Sequence, residues 1–415
     1  MNLKIEKSKV EIQKMKIAIT GSKSETNRLL LLQALYPNIT LENPSNSDDS
    51  DVMSKALNSQ FTIHNSQLID VHNAGTAMRF LTAYFAMQDG KEVILTGSSR
   101  MKERPIKILV DALRNLGAEI SYEEKEGFPP IKIIGKTITQ NKVSLPANVS
   151  SQYISALLLI APKLENGLEL TLEGEMTSVP YIKMTLALLN EIGVETSFIE
   201  NVITVKPKIS VFNCKLSIES DWSSASYFYS IVALSEIGTQ IQLSYYKQNS
   251  IQGDSVLSEI YKNFGVDTIF NGNNSITISK IYNPQFTIHN LQLNSTPDIA
   301  QTIAVSCFGL GMGCHLTGLH TLKIKETDRL EALKIELLKL GAKISITNDS
   351  LTIEPFTILH SDIEITTYKD HRMAMSFAPL ALKTSIIIEE AEVVTKSYPT
   401  FWEDLKSIGF NISKL

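Results

Sequence analysis

Short donor-rich clusters, each lying just before an apolar stretch, are the parts of this sequence that could do chemistry. In the run 21–28, Lys23, Ser24 and Arg28 place an ammonium, a hydroxyl and a guanidinium around a predicted helix start, the donor set that phosphate oxygens accept from. In 73–79, Asn73, Thr76 and Arg79 surround Gly75, where bare backbone lets a ligand approach closely. Arg104 precedes Pro105, predicted as the first position of a helix, and offers a planar fork for a carboxylate or phosphate. Ser150, Ser151, Gln152, Ser178 and Tyr181 add neutral donors suited to a hydroxylated, phosphorylated ring. Asp298, after Pro297, stands at the start of an apolar helix, which favours the ionised form and suits a general base. Lys325 and Arg329 are predicted one helical turn apart with Glu326 beside them, an anion grip that retains a carboxyl for proton transfer. Arg372, within 370–372, and Lys396 complete the set, whereas His371 reads as structural. Any one cluster is as well explained by helix capping or solvated surface charge, and a Walker A loop is excluded by its missing first glycine.

What separates these clusters from chance is their register. Six of them, at 21–24, 73–76, 150–152, 221–224, 297–298 and 370–372, recur at roughly 75-residue intervals after a shorter first one. Each opens an apolar, Ala-rich helix that must be buried on most sides. A second series closes amphipathic helices on Gly117, Gly193, Gly265, Gly341 and Gly409, each followed by an alternating strand. A sixth copy, 55–63, lacks the glycine and is expected to use Asn58. Six units of two helices and several strands make two domains of three units, with buried helices inside and sheets outside. The cations Lys23, Arg28, Arg79, Arg104, Lys325, Arg329, Arg372 and Lys396 exceed what one phosphate needs, so two anionic substrates are implied.

Composition sets the outer limits. A chain of 415 residues with 43% apolar content supports two cores, and a net charge of −5 argues against nucleic acid. Cys214, Cys307 and Cys314 have no metal-binding or disulfide spacing, which fits a reducing compartment. The first twenty residues alternate charged and apolar positions unlike a signal peptide, and the apolar runs are too short for a membrane span, so a cytoplasmic protein is expected.

Taken together, GSKSETNR, NAGTAMR, RMKERPI, SSQY, SSASYF, KETDRLEAL and DHRMAM closely resemble the EPSP synthase family of enolpyruvyl transferases, over essentially the whole chain. The resemblance implies an α/β protein of two inverse α/β barrel domains, each of three βαβαββ repeats. The expected domains are 20–219, and 1–19 with 220–415, with the active site in the cleft between them and domain closure on binding. It implies transfer of the enolpyruvyl group of phosphoenolpyruvate to 3-phosphoshikimate, by a monomer with no metal or organic cofactor. Lys23, Ser24, Arg28, Ser150, Ser151, Gln152, Ser178, Tyr181, Asp298, Thr321 and Lys325 would hold phosphoshikimate. Lys23, Asn73, Gly75, Thr76, Arg79, Arg104, Gln152, Arg329, Arg372 and Lys396 would hold or line phosphoenolpyruvate. Asp298 and Glu326 would move protons, with Lys23 stabilising charge. The family inhibitor glyphosate would occupy the phosphoenolpyruvate pocket, for which Gly75 leaves room.

The chain departs from the usual family pattern at Thr321 (for Asn), Lys323 (for Arg), Phe80 (for Pro), and Ser220 and Trp222 (for Gly and Ala). Two rivals stand beside this reading. Enolpyruvyl transfer to UDP-N-acetylglucosamine usually goes with a loop cysteine, absent from 97–104. A non-catalytic anion binder would gain nothing from Asp298 and Glu326 among the cations.

Overall fold

The computed structural model describes all residues except 11–13, 60–65, 175, 177, 178, 285–287 and 356–358. The chain divides into two compact units, Lys23–Ile218 and Met1–Ser22 together with Glu219–Leu415.

The βαβαββ repeat is plain in the unit Lys23–Ile218. Strand Gln67–Asp70, helix Gly75–Ala86, strand Glu92–Thr96, helix Lys107–Asn115 and strands Glu119–Tyr122 and Ile131–Ile134 follow in order. The first two strands pair in parallel across the buried helix, and the last two close the sheet as an antiparallel hairpin. The next repeat copies this from Lys142–Pro146 to Val202–Val205, with the same mixture of pairings. In the short first repeat, Ile39–Glu42 pairs in parallel with Cys214–Ser217, the only two strands of that sheet among the described residues.

Among its described residues the other unit contains three four-stranded sheets, two of which recruit the N-terminal segment. Leu3–Ile5 lies between Ile386–Ile388 and Ile412–Lys414, and Lys14–Ile17 pairs with Gln240–Ser244.

Helices following the donor clusters fill the interior, as their composition requires. In Gly75–Ala86 every residue but Thr76 is buried, and in Trp222–Leu234 every residue but Ser223. Strands such as Glu92–Thr96 alternate buried and half-buried residues, presenting one face to those helices. The five helix-ending glycines all have positive φ, from 77° at Gly265 to 108° at Gly117. Asn58 does end the helix of the sixth copy, in a different conformation from the glycines. It closes Asp48–Leu57 at φ −90°, its N–H bonded to the Ser54 carbonyl at 3.1 Å in the ordinary α-helical pattern, so the helix ends there without a left-handed residue. No helix among the described residues is long and apolar enough to cross a membrane.

Candidate active-site clusters

In the unit Lys23–Ile218, Arg28 joins three helices. Its Nε donates to Thr185 at 2.8 Å, Nη1 to the Ser24 carbonyl at 2.8 Å, and Nη2 to Ser155 at 3.0 Å and the Tyr181 carbonyl at 3.5 Å. The guanidinium lies over the rings of Phe80 and Tyr181. Phe80, where the family pattern has Pro, thus supplies an aromatic face and leaves the helix unbroken. Burial pulls Arg28 down to about 10, and no carboxylate pairs with it among the described residues. A buried cation held by neutral groups makes this region attractive to an anion. Lys23 pairs with Asp49 at 3.3 Å.

The starts of Gly75–Ala86 and Ser151–Ile160 meet where Gln152 donates to Thr76 at 3.0 Å. No side chain caps the first of these helices, whereas Ser150 caps the second through the Gln152 N–H. Gly75 and Thr76 therefore open a helix end whose N–H groups suit an anion. Arg79, 4% exposed, turns inward and donates to the carbonyls of Gly75 at 3.1 Å and Pro105 at 3.2 Å. It braces the loop carrying Arg104. The half-buried Arg104 guanidinium lies against Gly75, so a Cβ there would fall 2.6 Å from Nη1. Asn73 is tied to Ser98. Pro105 is not the first helical residue, since Ile106 is the N-cap and the helix begins at Lys107. The Ile106 N–H is drawn outward to the Gly127 carbonyl, which holds Arg104 and Pro105 in the preceding loop.

Glu219–Leu415 contributes a denser network. Arg329, 2% exposed, donates to Asp370 at 2.7 Å, Glu326 at 2.8 Å and Asp298 at 3.1 Å. Lys396 reaches Glu326 at 2.7 Å. Lys325 and Arg372 each lie 3.4 Å from Asp298, and Arg372 Nη1 donates to the Asp298 carbonyl at 3.0 Å. Burial pushes the Asp298 carboxyl up, but Lys325, Arg372 and Arg329 outweigh it and hold the group well below the ordinary carboxylate range. Burial pulls Lys325 down, partly offset by Asp298. The network therefore contains an ionised carboxylate, Asp298, and a second carboxyl, Glu326, that bridges two cations.

Local structure differs from the sequence expectation in two respects. The run 325–328 is not helical, because Asp328 caps the Leu330 and Glu331 N–H groups and starts the helix at Arg329. Lys325, extended at the end of the preceding turn, and Arg329, the first helical residue, converge on Asp298 across the bend 325–327. Asp298 lies in a one-turn 3-10 segment, Pro297–Ile299, that leads into the helix Ala300–Gly309. Thr321 sits in the neighbouring turn His320–Ile324, which packs against 297–299, whereas Lys323 is taken up by Asn348 at 2.8 Å. Ser178 lies outside the described residues. Ser24, Ser151 and Tyr181 take their places at the starts of their helices.

Three acidic residues escaped the sequence reading. Asp49 was hidden in a polar run, although its place near a helix start hinted at a cation partner. Asp370 looked like a cap for its own helix; it does cap the Arg372 N–H, at 2.8 Å, but also grips Arg329. Asp254 carried no signal beyond a Gly-Asp turn.

The chain matches the family model for EPSP synthase (3-phosphoshikimate 1-carboxyvinyltransferase) over residues 45–405. It is 44% identical over 414 residues to a 3-phosphoshikimate 1-carboxyvinyltransferase of Bacteroides fragilis, covering 96% of each chain. A Haemophilus influenzae protein of the same name is 37% identical over 426 residues, covering 94% of this chain and 96% of its own. Among solved structures, an EPSP synthase from Acinetobacter baumannii shares the fold with a TM-score of 0.78 at 22% identity, covering 100% of both chains. With its repeats, its helix-start clusters and these relatives, the chain belongs to the EPSP synthase family.

Proposed function

We propose that residues of both units act together on 3-phosphoshikimate and phosphoenolpyruvate, with Asp298 as the base and Glu326 as the acid. The overall reaction is that of the family, giving 5-enolpyruvylshikimate-3-phosphate and inorganic phosphate. Asp298 takes the proton of the 5-hydroxyl as its oxygen attacks C2 of phosphoenolpyruvate, and Glu326 delivers a proton to C3. The resulting tetrahedral adduct then loses phosphate from C2 and a proton from C3, which leaves the enol ether. Lys23, Ser24, Arg28, Ser150, Ser151, Gln152, Ser178, Tyr181, Thr321 and Lys325 take the phosphoshikimate. Gly75, Arg104, Arg329, Arg372 and Lys396, with Asn73, Thr76 and Arg79 around them and Lys23 and Gln152 shared, take the phosphoenolpyruvate. The observation that carries this assignment is the geometry at Asp298, whose carboxylate lies within 3.4 Å of Lys325, Arg329 and Arg372 and gains proton affinity once anionic substrates offset those cations. We further read the chain as a cytoplasmic monomer needing no metal, organic cofactor or nucleic acid.

Phosphate release from phosphoenolpyruvate, followed with 3-phosphoshikimate or UDP-N-acetylglucosamine as acceptor, tests the reading. Release is expected with phosphoshikimate alone. Release with the sugar nucleotide alone would reassign the acceptor, and none with either would revive the anion binder.

Gly75 gives a second prediction. In Gly75→Ala the added methyl must displace the Arg104 guanidinium, whose Nη1 lies 2.6 Å from the Cβ position. The KM for phosphoenolpyruvate should rise by about 10-fold, the loss of one charge-assisted hydrogen bond. Glyphosate, which inhibits the parent chain in this reading, should weaken at least as much. Unchanged steady-state constants in both respects would refute the placement of Arg104 against the ligand.

A further inference from the structure

Asp254 is a buried carboxyl, 5% exposed, on the one-turn segment Gly253–Val256, and no Lys or Arg pairs with it among the described residues. Burying a carboxylate without a cation in contact is costly, so its surroundings should explain it. Its two oxygens accept from two hydroxyls, Oδ2 from Ser223 and Oδ1 from Thr296. Each hydroxyl leads to the reaction centre. Ser223 Oγ in turn accepts from Arg372 Nη2 at 3.2 Å, the nitrogen that also lies 3.4 Å from Asp298. Thr296 immediately precedes Pro297 and Asp298, so fixing its side chain fixes the entry to their turn.

The loop that presents Asp254 is itself anchored. Gln252 accepts from the Trp222 N–H at 2.9 Å and donates to the Ser220 carbonyl at 2.9 Å, while Ser250 donates to Glu219 at 2.6 Å. We propose that Asp254 is a positioning residue for the enolpyruvyl transfer, holding Arg372 through Ser223 and the Asp298 turn through Thr296. This rests on the reading of Arg372 as a phosphoenolpyruvate ligand and Asp298 as the base.

A second consequence is electrostatic. The charged groups facing Asp254 are Asp298 and Arg372, whereas Lys325 and Arg329 reach Asp298 only. The cations hold Asp298 well below the ordinary carboxylate range, so Asp254 takes up its proton first as pH falls and loosens its grip on the two hydroxyls. Burial, then Asp298, push Asp254 up to about 6.

The test compares Asp254→Asn and Ser223→Ala with the parent chain by phosphate release, varying each substrate and pH, with thermal midpoints in parallel. Both variants should raise the KM for phosphoenolpyruvate by about 10-fold, the loss of support for one charge-assisted hydrogen bond, and that for phosphoshikimate much less. Only Asp254→Asn should also move the acid limb of kcat/KM to lower pH, since Ser223→Ala leaves the carboxylate in place. Unchanged kinetic constants and pH limb in both variants, with or without a lower thermal midpoint, would overturn the proposal. Should Asp254→Asn fail to fold, an unaltered KM in Ser223→Ala overturns it alone. No release by the parent chain would overturn the reading of the reaction and this proposal with it.

Discussion

Asp298→Asn should reduce turnover by roughly 10³-fold, within the range expected for loss of a general base. The amide matches the carboxylate in shape and can still accept from Arg329, so the pocket keeps its form but cannot take the proton. Lys325, Arg329 and Arg372 keep their charges but lose the carboxylate that they hold ionised in the parent chain. Single-turnover phosphate release measures the effect directly, and a loss smaller than tenfold would move the base elsewhere. The same group sets a pH dependence of stability. Its pKa is lower folded than unfolded, so its contribution is present above the unfolded value of about 3.9 and is lost as pH falls through the folded one.

The largest effect on stability is expected at Arg329. Arg329→Leu removes the one guanidinium shared by Asp370, Glu326 and Asp298 and leaves Asp370, fully buried, without its ion-pair partner. Breaking a buried pair on one side costs about 3–5 kcal/mol. In a unit of this size that corresponds to a fall of roughly 10 °C in thermal midpoint. Arg329→Lys should recover only part of it, because an ammonium cannot span three carboxylates. Calorimetry of the variants checks this; a fall below about 2 °C would mean the network relaxes freely around the missing group.

The repeat was readable because it is written in backbone requirements. A helix that stops abruptly needs a left-handed residue, and Gly117 through Gly409 adopt that conformation. Buried helices need apolar residues all round, which made Gly75–Ala86 and Trp222–Leu234 visible as elements. The cations were legible for a related reason, since Arg and Lys beside helix starts suggest anions. Their partners were not. Whether Asp370 caps its own helix or grips an arginine 41 residues away depends on tertiary contacts that no local pattern encodes. Local capping also misled at 325–329, where Asp328 claims the helix start and Lys325 reaches Asp298 from the bend before it. Asp254 was invisible because its two partners are hydroxyls, and hydroxyls abound.

The pairing of Leu3–Ile5 and Lys14–Ile17 with strands beyond residue 239 has a consequence for synthesis on the ribosome. These strands emerge well before their partners, which follow after more than 200 further residues for Lys14–Ile17 and more than 370 for Leu3–Ile5, at least about 10 s at ordinary elongation rates. Meanwhile Lys23–Ile218 acquires its last strand, Cys214–Ser217, and can collapse on its own. The leading segment must wait as an unpaired edge, the state most prone to capture by other nascent chains. It carries charge to blunt that hazard: lysine or glutamate occupies positions 4, 6, 7, 9, 14 and 16. The vectorial order of translation and the closed order of the fold are thus out of phase, and the amino-terminal arm spans the interval.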